Sequence, residues 1–237
     1  MPVLKMFLYF LTDGLIVDVF EAISRRMTIR DFRDEPVPMD VVLKLIDAGM
    51  KAPSNDHMRR WEFVVVQDRS VRKKIVECIE PIPRARAGEP ITVEGAAEFV
   101  DRRGMTDELQ REMYINVIPK QLSMILGAGC LIVPCYKSNT PLLEPKTLSS
   151  LNPFASIWCC VENILVMAAS LGIFGVTRIP MEDERAKVKV LLGIPEGYEF
   201  PCFIALGYPR EGATRTKQIE IKTEDRIHVD KWYDNPR

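Results

Sequence analysis

The chain has 237 residues, 47% of them hydrophobic and 27% charged, and a net charge of −1. Those values fit one large domain, residues 1–237, that can bury a sizeable core. They give no electrostatic case for nucleic acid or an acidic membrane as a partner, so any anion site has to gather its cations locally. Residues 1–16 hold an apolar run, 6–11, broken by Thr12-Asp13-Gly14. That run is too short to span a bilayer, which takes about 20 apolar residues, and it lacks a small-residue cleavage site. We read 1–16 as an apolar N-terminal extension that packs on the body or on a partner subunit, and the protein as cytoplasmic.

Residues 17–26 predict a helix with Val17, Phe20 and Ile23 on one face. Residues 39–52 predict a stronger one, because Val42, Leu45, Ile46 and Gly49 follow the i, i+3, i+4, i+7 pattern. Pro38 and Asp40 suit its first turn and Pro53 ends it. Residues 62–67 are almost all apolar and β-branched, which predicts a strand in the middle of a sheet. The stretch 81–110 breaks the rhythm with Pro, Arg and dense charge, and 81–112 reads as a loop or lid.

Further on, 113–126 predicts a helix and 129–136 a second buried strand. The strongest helix is 154–171, where Ile157, Trp158, Val161, Ile164, Leu165, Ala168 and Ala169 form a wide apolar stripe and Gly172 can cap the end. Residues 175–179 and 200–207 predict further strands, and no internal repeat or low-complexity tract appears. The six cysteines form no C-x-x-C pair and no metal-like spacing with the two histidines, so no metal site is expected. Cys130 and Cys135, five apart in a strand, should face opposite ways. The thiols read as small apolar residues in a reducing compartment.

Two segments carry the chemistry, RMTIRDFR at 26–33 and APSNDHMRRWEF at 52–63. Arg26 and Arg30 lie four apart around Thr28, and a guanidinium fork matches the oxygens of a phosphate dianion. The second segment is a polar turn running into an apolar strand, where His57 can donate a ring N–H to a carbonyl. No G-x-G-x-x-G string is present, which argues against a Rossmann dinucleotide site.

These two segments resemble the FMN-dependent nitroreductase family, which opens with an Arg-x-Ser-x-Arg-x-Phe-like stretch and continues with Ala-Pro-Ser-x-x-Asn-x-Gln-Pro-Trp. Asn163-Ile164-Leu165, Leu171-Gly172, Leu192-Gly193-Ile194-Pro195 and Leu206-Gly207-Tyr208-Pro209 follow in the family's order. Each block alone is weak, whereas the ordered set is specific. The resemblance implies an α+β three-layer sandwich, a mixed and mostly antiparallel sheet flanked by helices. It also implies a homodimer with FMN at the interface.

By the same resemblance Arg26, Met27, Thr28 and Arg30 form the first flavin-binding stretch, with Thr28 in place of serine and Met27 serving through its backbone. Pro53, Ser54 and Asn55 keep the second turn. His57 replaces an asparagine, and Arg59-Arg60 replace Gln-Pro, so that Arg59 can put positive charge near the substrate or the flavin, or face solvent. Thr177 falls at the flavin N5 edge, as a cofactor contact and a catalytic candidate. Arg215 and Lys217 match a basic pair that reaches the phosphate of this subunit or its neighbour.

The implied activity passes hydride from NADH or NADPH through flavin N5 to a small acceptor such as a nitroaromatic, quinone or flavin. The flavin carries the redox chemistry while the protein sets orientation and access. Alternatives on the same fold are a reductive dehalogenase or flavin-fragmenting relative, and a non-catalytic FMN-binding module.

Overall fold

A computed structural model describes residues 17–79, 92–213 and 219–232. Helix α1, Val19–Arg25, starts where the Asp18 carboxylate accepts the N–H of Phe20 at 2.8 Å. It buries only Ala22; Phe20 and Ile23, expected on a packed face, are 78% and 52% exposed. Helix α2, Met39–Met50, has Pro38 at its N-cap and buries Val42, Leu45 and Gly49. Gly49 is required by a close approach, since a Cβ there would sit 2.8 Å from Ile164 Cγ1 and 2.9 Å from Cys160 Sγ.

Strand β1, Trp61–Val66, leads to α3, Arg69–Cys78. Then come α4, Val93–Arg102; α5, Glu108–Val117; and α6, Ser123–Leu126. Strand β2, Cys130–Lys137, is followed by the long helix α7, Asn152–Ser170. The chain continues through β3, Phe174–Arg178; α8, Glu182–Leu192; β4, Tyr198–Glu199; and β5, Phe203–Gly207.

The strand order is β1-β2-β5-β3, with β4 also on β2. Every strand pairing is antiparallel, and the parallel contact is the isolated bridge Thr28–Gly175. Helices cover both faces. Ile75 of α3, Ile125 of α6 and Val188 of α8 pack on one side with Leu131 and Val133, while Leu45 of α2 and Ile157 and Ile164 of α7 pack on the other with Ile132 and Ile204. This is the expected three-layer α+β arrangement. Cys130 and Cys135 fall in opposite cores, as their spacing predicts. Burial pushes the thiols of Cys130, Cys135 and Cys160 up to about 12, which leaves them unreactive at neutral pH.

Two expectations need correction. Among the described residues β1 lies at the end of the sheet, not its middle. Its apolar run arises because both faces are covered: Phe63 and Val65 meet one core, Val64 and Val66 the other. An edge strand sandwiched by helices reads like a central one.

The helix expected over 113–126 is broken into α5, a 3₁₀ turn at Ile118–Lys120 and α6, because Pro119 supplies no N–H to continue the ladder. In the expected lid, residues 81–91 lie outside those described. The rest of it forms α4 and the start of α5, closed around a small core of Ala96, Val100 and Ile118. Helices α3 and α8, both strongly charged, were not anticipated from periodicity.

Helix α7 with its preceding turn, Leu148–Ser170, is long and apolar enough to cross a bilayer by length and composition. In this fold it packs against α2 and the sheet, burying Ile157, Cys160, Val161, Ile164, Ala168 and Ala169.

Candidate active site

After α1 the chain runs along the open edge of β3. Thr28 bridges Gly175, and the Ile29 N–H donates to the Gly175 carbonyl at 3.3 Å. Ile29 and Phe32 bury their side chains and anchor the segment. Gly207 makes room for Phe32, because a Cβ there would lie 2.9 Å from the ring. The polar residues between these anchors are thereby held at the sheet edge.

A cavity of about 200 Å³ opens along this edge. Arg26, Met27 and Thr28 form one wall; Trp158, Val161, Glu162 and Leu165 of α7 form another; Phe174 to Thr177 form the floor. Four of the residues singled out from sequence, Arg26, Met27, Thr28 and Thr177, therefore meet in one place. Because the Gly175 carbonyl faces outward to Ile29, the two-residue period of the strand turns the Thr177 N–H to the same open edge. A donor at that point suits a ring nitrogen or an oxyanion.

The cations are partly desolvated. Burial pulls the Arg30 guanidinium below its usual range, and neighbouring Asp31 opposes that shift. Arg30 does not line the cavity itself. Arg26 Nε lies 3.1 Å from Glu162 Oε1. The angle is too poor for a hydrogen bond, so this buried N–H touches a counter-charge yet has no acceptor among the described residues. An oxyanion beside Thr28 would supply one, and the residues present fit a phosphate.

The second segment lies elsewhere in the subunit. Ser54 and Asn55 border a separate cavity of about 360 Å³ at the start of α7. The turn is stiffened from within: Ser54 Oγ accepts the Arg59 N–H at 3.1 Å, and the Ser54 carbonyl accepts the His57 N–H at 3.1 Å. Asn55 donates its N–H to Ser156 Oγ at 3.3 Å and accepts from Asn152 Nδ2 at 2.9 Å. His57 and Arg59 have φ of 56° and 43°. Each such residue costs on the order of 1 kcal/mol, a strain that tends to collect at functional turns.

Pro53, His57 and Arg59 are exposed and line neither cavity. Arg59 Nε donates to the Ala52 carbonyl at 3.3 Å, just past the end of α2. Asn55 meets α7 at Ser156 and Arg26 meets it at Glu162. Six residues separate those points, about 9 Å along the axis, and the two segments border separate cavities. Arg215 and Lys217 lie outside the described residues.

Sequence reasoning missed Glu162, although a signal was present: it is the only charged residue in α7, NPFASIWCCVENILVMAAS. The ion pairs behind the floor were missed too. Arg178, next to Thr177, pairs with Glu184 at 2.8 Å, and their side chains are 11% and 4% exposed. Glu184 also accepts the Met181 N–H at 2.9 Å. Arg185 pairs with Glu182 and Glu199, and Lys189 with Glu199 at 2.9 Å. This network fixes the end of β3 against α8.

Fold and groove together define a class, a three-layer α+β protein with a cation-bearing groove along the edge strand of its sheet. The chain belongs to the nitroreductase family, whose model matches residues 23–208. A Methanothermobacter thermautotrophicus protein provisionally named NADH dehydrogenase/NAD(P)H nitroreductase is 30% identical over 230 residues, covering 93% of this chain and 92% of the relative. Iodotyrosine deiodinase 1 of Rattus norvegicus is 29% identical over 215 residues, covering 90% of this chain and 69% of the relative.

Among solved structures, an oxidised iodotyrosine deiodinase bound to FMN and 3-iodo-L-tyrosine aligns with a TM-score of 0.65 at 16% identity, covering 91% of this chain and 100% of that one. The NADPH:FMN oxidoreductase of Vibrio harveyi complexed with NAD+ gives 0.62 at 18%, covering 91% and 78%. At those identities the structural matches establish the fold.

Proposed function

We propose that the protein is an FMN-dependent oxidoreductase that takes reducing equivalents from NADH or NADPH and delivers them to a small oxidised acceptor such as a nitroaromatic, quinone or flavin. The observation that carries this reading is the edge groove, where Arg26 offers a buried N–H without an acceptor and Thr177 turns its N–H to the open side. FMN, when bound, supplies the hydride and electron chemistry. Arg26, Thr28 and Arg30 hold its phosphate end, with Met27 contributing backbone, and Thr177 meets its N5 edge. Arg215 and Lys217 add charge to the phosphate site.

The other half of the site comes from a second copy. Pro53, Ser54, Asn55 and His57 meet the flavin ring across a homodimer interface, which accounts for their distance from Arg26 within one chain. Arg59 commits Nε to Ala52, and its exposed Nη atoms are the ones available to an acidic acceptor. Apolar surface supports the dimer: Val19 and Phe20 of α1, and Ile219, Ile221, Val229 and Trp232 of the tail, are all exposed. Light scattering at micromolar concentration should give twice the chain mass. Phe20→Asp should weaken the dimer by about 10- to 150-fold, since burying one such side chain is worth roughly 1.5–3 kcal/mol. A flavin-loaded wild-type monomer would refute the shared site.

Six cysteines, all free, support a reducing compartment such as the cytoplasm. The deciding experiment mixes the flavin-loaded protein anaerobically with NADH and, separately, NADPH. Bleaching of the flavin band with either, followed by recolouring with a nitroaromatic or quinone, is the expected result. If neither nicotinamide bleaches the flavin, the protein is a binding module. The deiodinase match favours one second reading, reductive dehalogenation. Recolouring by an iodinated phenol with release of iodide, and not by quinones, would select it.

A further inference from the structure

Among the described residues Glu162 is the one acidic side chain on the groove wall, and it is the one charge in α7. A site for a phosphate dianion gains nothing from a carboxylate, since like charges disfavour each other at close range. Fold stability does not account for it either. Its ion pair with Arg26 joins side chains that are 53% and 32% exposed, and pairs that wet contribute little. Arg26 is its only polar partner among the described residues. Glu162 therefore acts on Arg26 and on whatever Arg26 binds.

We propose that Glu162 is an internal competitor for the phosphate: its carboxylate sits on Arg26 and has to yield to the flavin phosphate. This rests on the reading that Arg26 meets that phosphate. The imperfect contact suits such a role, because Arg26 Nε is close to the carboxylate yet makes no hydrogen bond with it, so the pair is easily exchanged. The consequence is a flavin held less tightly than the arginines alone would hold it.

The test compares FMN with riboflavin, which has the same ring and no phosphate, on wild type and Glu162→Gln by fluorescence titration and by dissociation rate. The variant should bind FMN roughly two- to fivefold more tightly and release it more slowly. Riboflavin affinity should stay unchanged. Glu162→Ala should move FMN in the same direction, which guards against a fault particular to the glutamine variant.

Wild type that prefers FMN to riboflavin, with both variants unchanged or weaker for FMN, overturns the competitor role and leaves the phosphate site standing. Wild type that binds the two flavins equally, or binds neither, overturns the phosphate assignment of Arg26 and this inference with it.

Discussion

Arg26→Ala is expected to purify without flavin. The groove offers the phosphate a guanidinium whose Nε–H is buried and lacks an acceptor, and a charge-assisted hydrogen bond of this kind is worth roughly 1.5–3 kcal/mol. Affinity for FMN should fall about 10- to 150-fold. Riboflavin should be affected far less, because it brings no charge to the site. Circular dichroism should be unchanged, since Arg26 is half-buried and its ion pair with Glu162 adds little to folding. FMN retention at wild-type affinity would move the phosphate elsewhere, with Arg30 the next residue to test.

Glu184→Ala should produce the largest loss of stability. Glu184 and Arg178 form a pair that is nearly sealed from water, and Arg178 already has two buried donors, Nε and Nη1, without acceptors. Removing the carboxylate leaves a buried guanidinium uncompensated, a change that typically costs 3–5 kcal/mol. It also removes the acceptor for the Met181 N–H at the start of α8. For a chain of this size the melting temperature should fall by about 6–20 °C at fixed protein concentration. Flavin binding should suffer at temperatures where the variant is still folded, because Arg178 is the neighbour of Thr177 on β3. The double variant Arg178→Met/Glu184→Leu should recover much of the stability. A loss under about 1 kcal/mol for the single variant would show that water reaches the pair.

Much of the fold was legible because local patterns and tertiary demands agree. The spacing of Val42, Leu45 and Gly49 marked α2, and all three are buried. The apolar stripe from Ile157 to Ala169 marked α7, and Gly172 follows its end with φ of 71°. Arg26, Met27, Thr28 and Thr177 were identified from strings more than a hundred residues apart, and they share one groove.

Other features depend on what packs against what. The face of α1 that reads as core is exposed, because periodicity records that a face is apolar and not what covers it. Strand β1 reads as central and lies at the edge, since a strand's apolar run reports helices on its two faces and not neighbours at its sides. Helices α3 and α8 escaped notice because their exposed charges dilute the periodic signal.

At the site, the residue types that can bind a phosphate and a flat ring were readable from the sequence alone, since guanidinium and hydroxyl chemistry is local to each residue. Only the tertiary structure decided how they are deployed. Bringing Glu162 onto Arg26 takes a helix more than a hundred residues further along the chain, and no spacing rule connects them. Turning the Thr177 N–H to the open edge takes the pairing of β3 with β5 on one side and with Thr28 on the other. Setting Ser54 and Asn55 beside a different cavity takes their contacts with Asn152 and Ser156 at the start of α7, roughly two to three turns before Glu162.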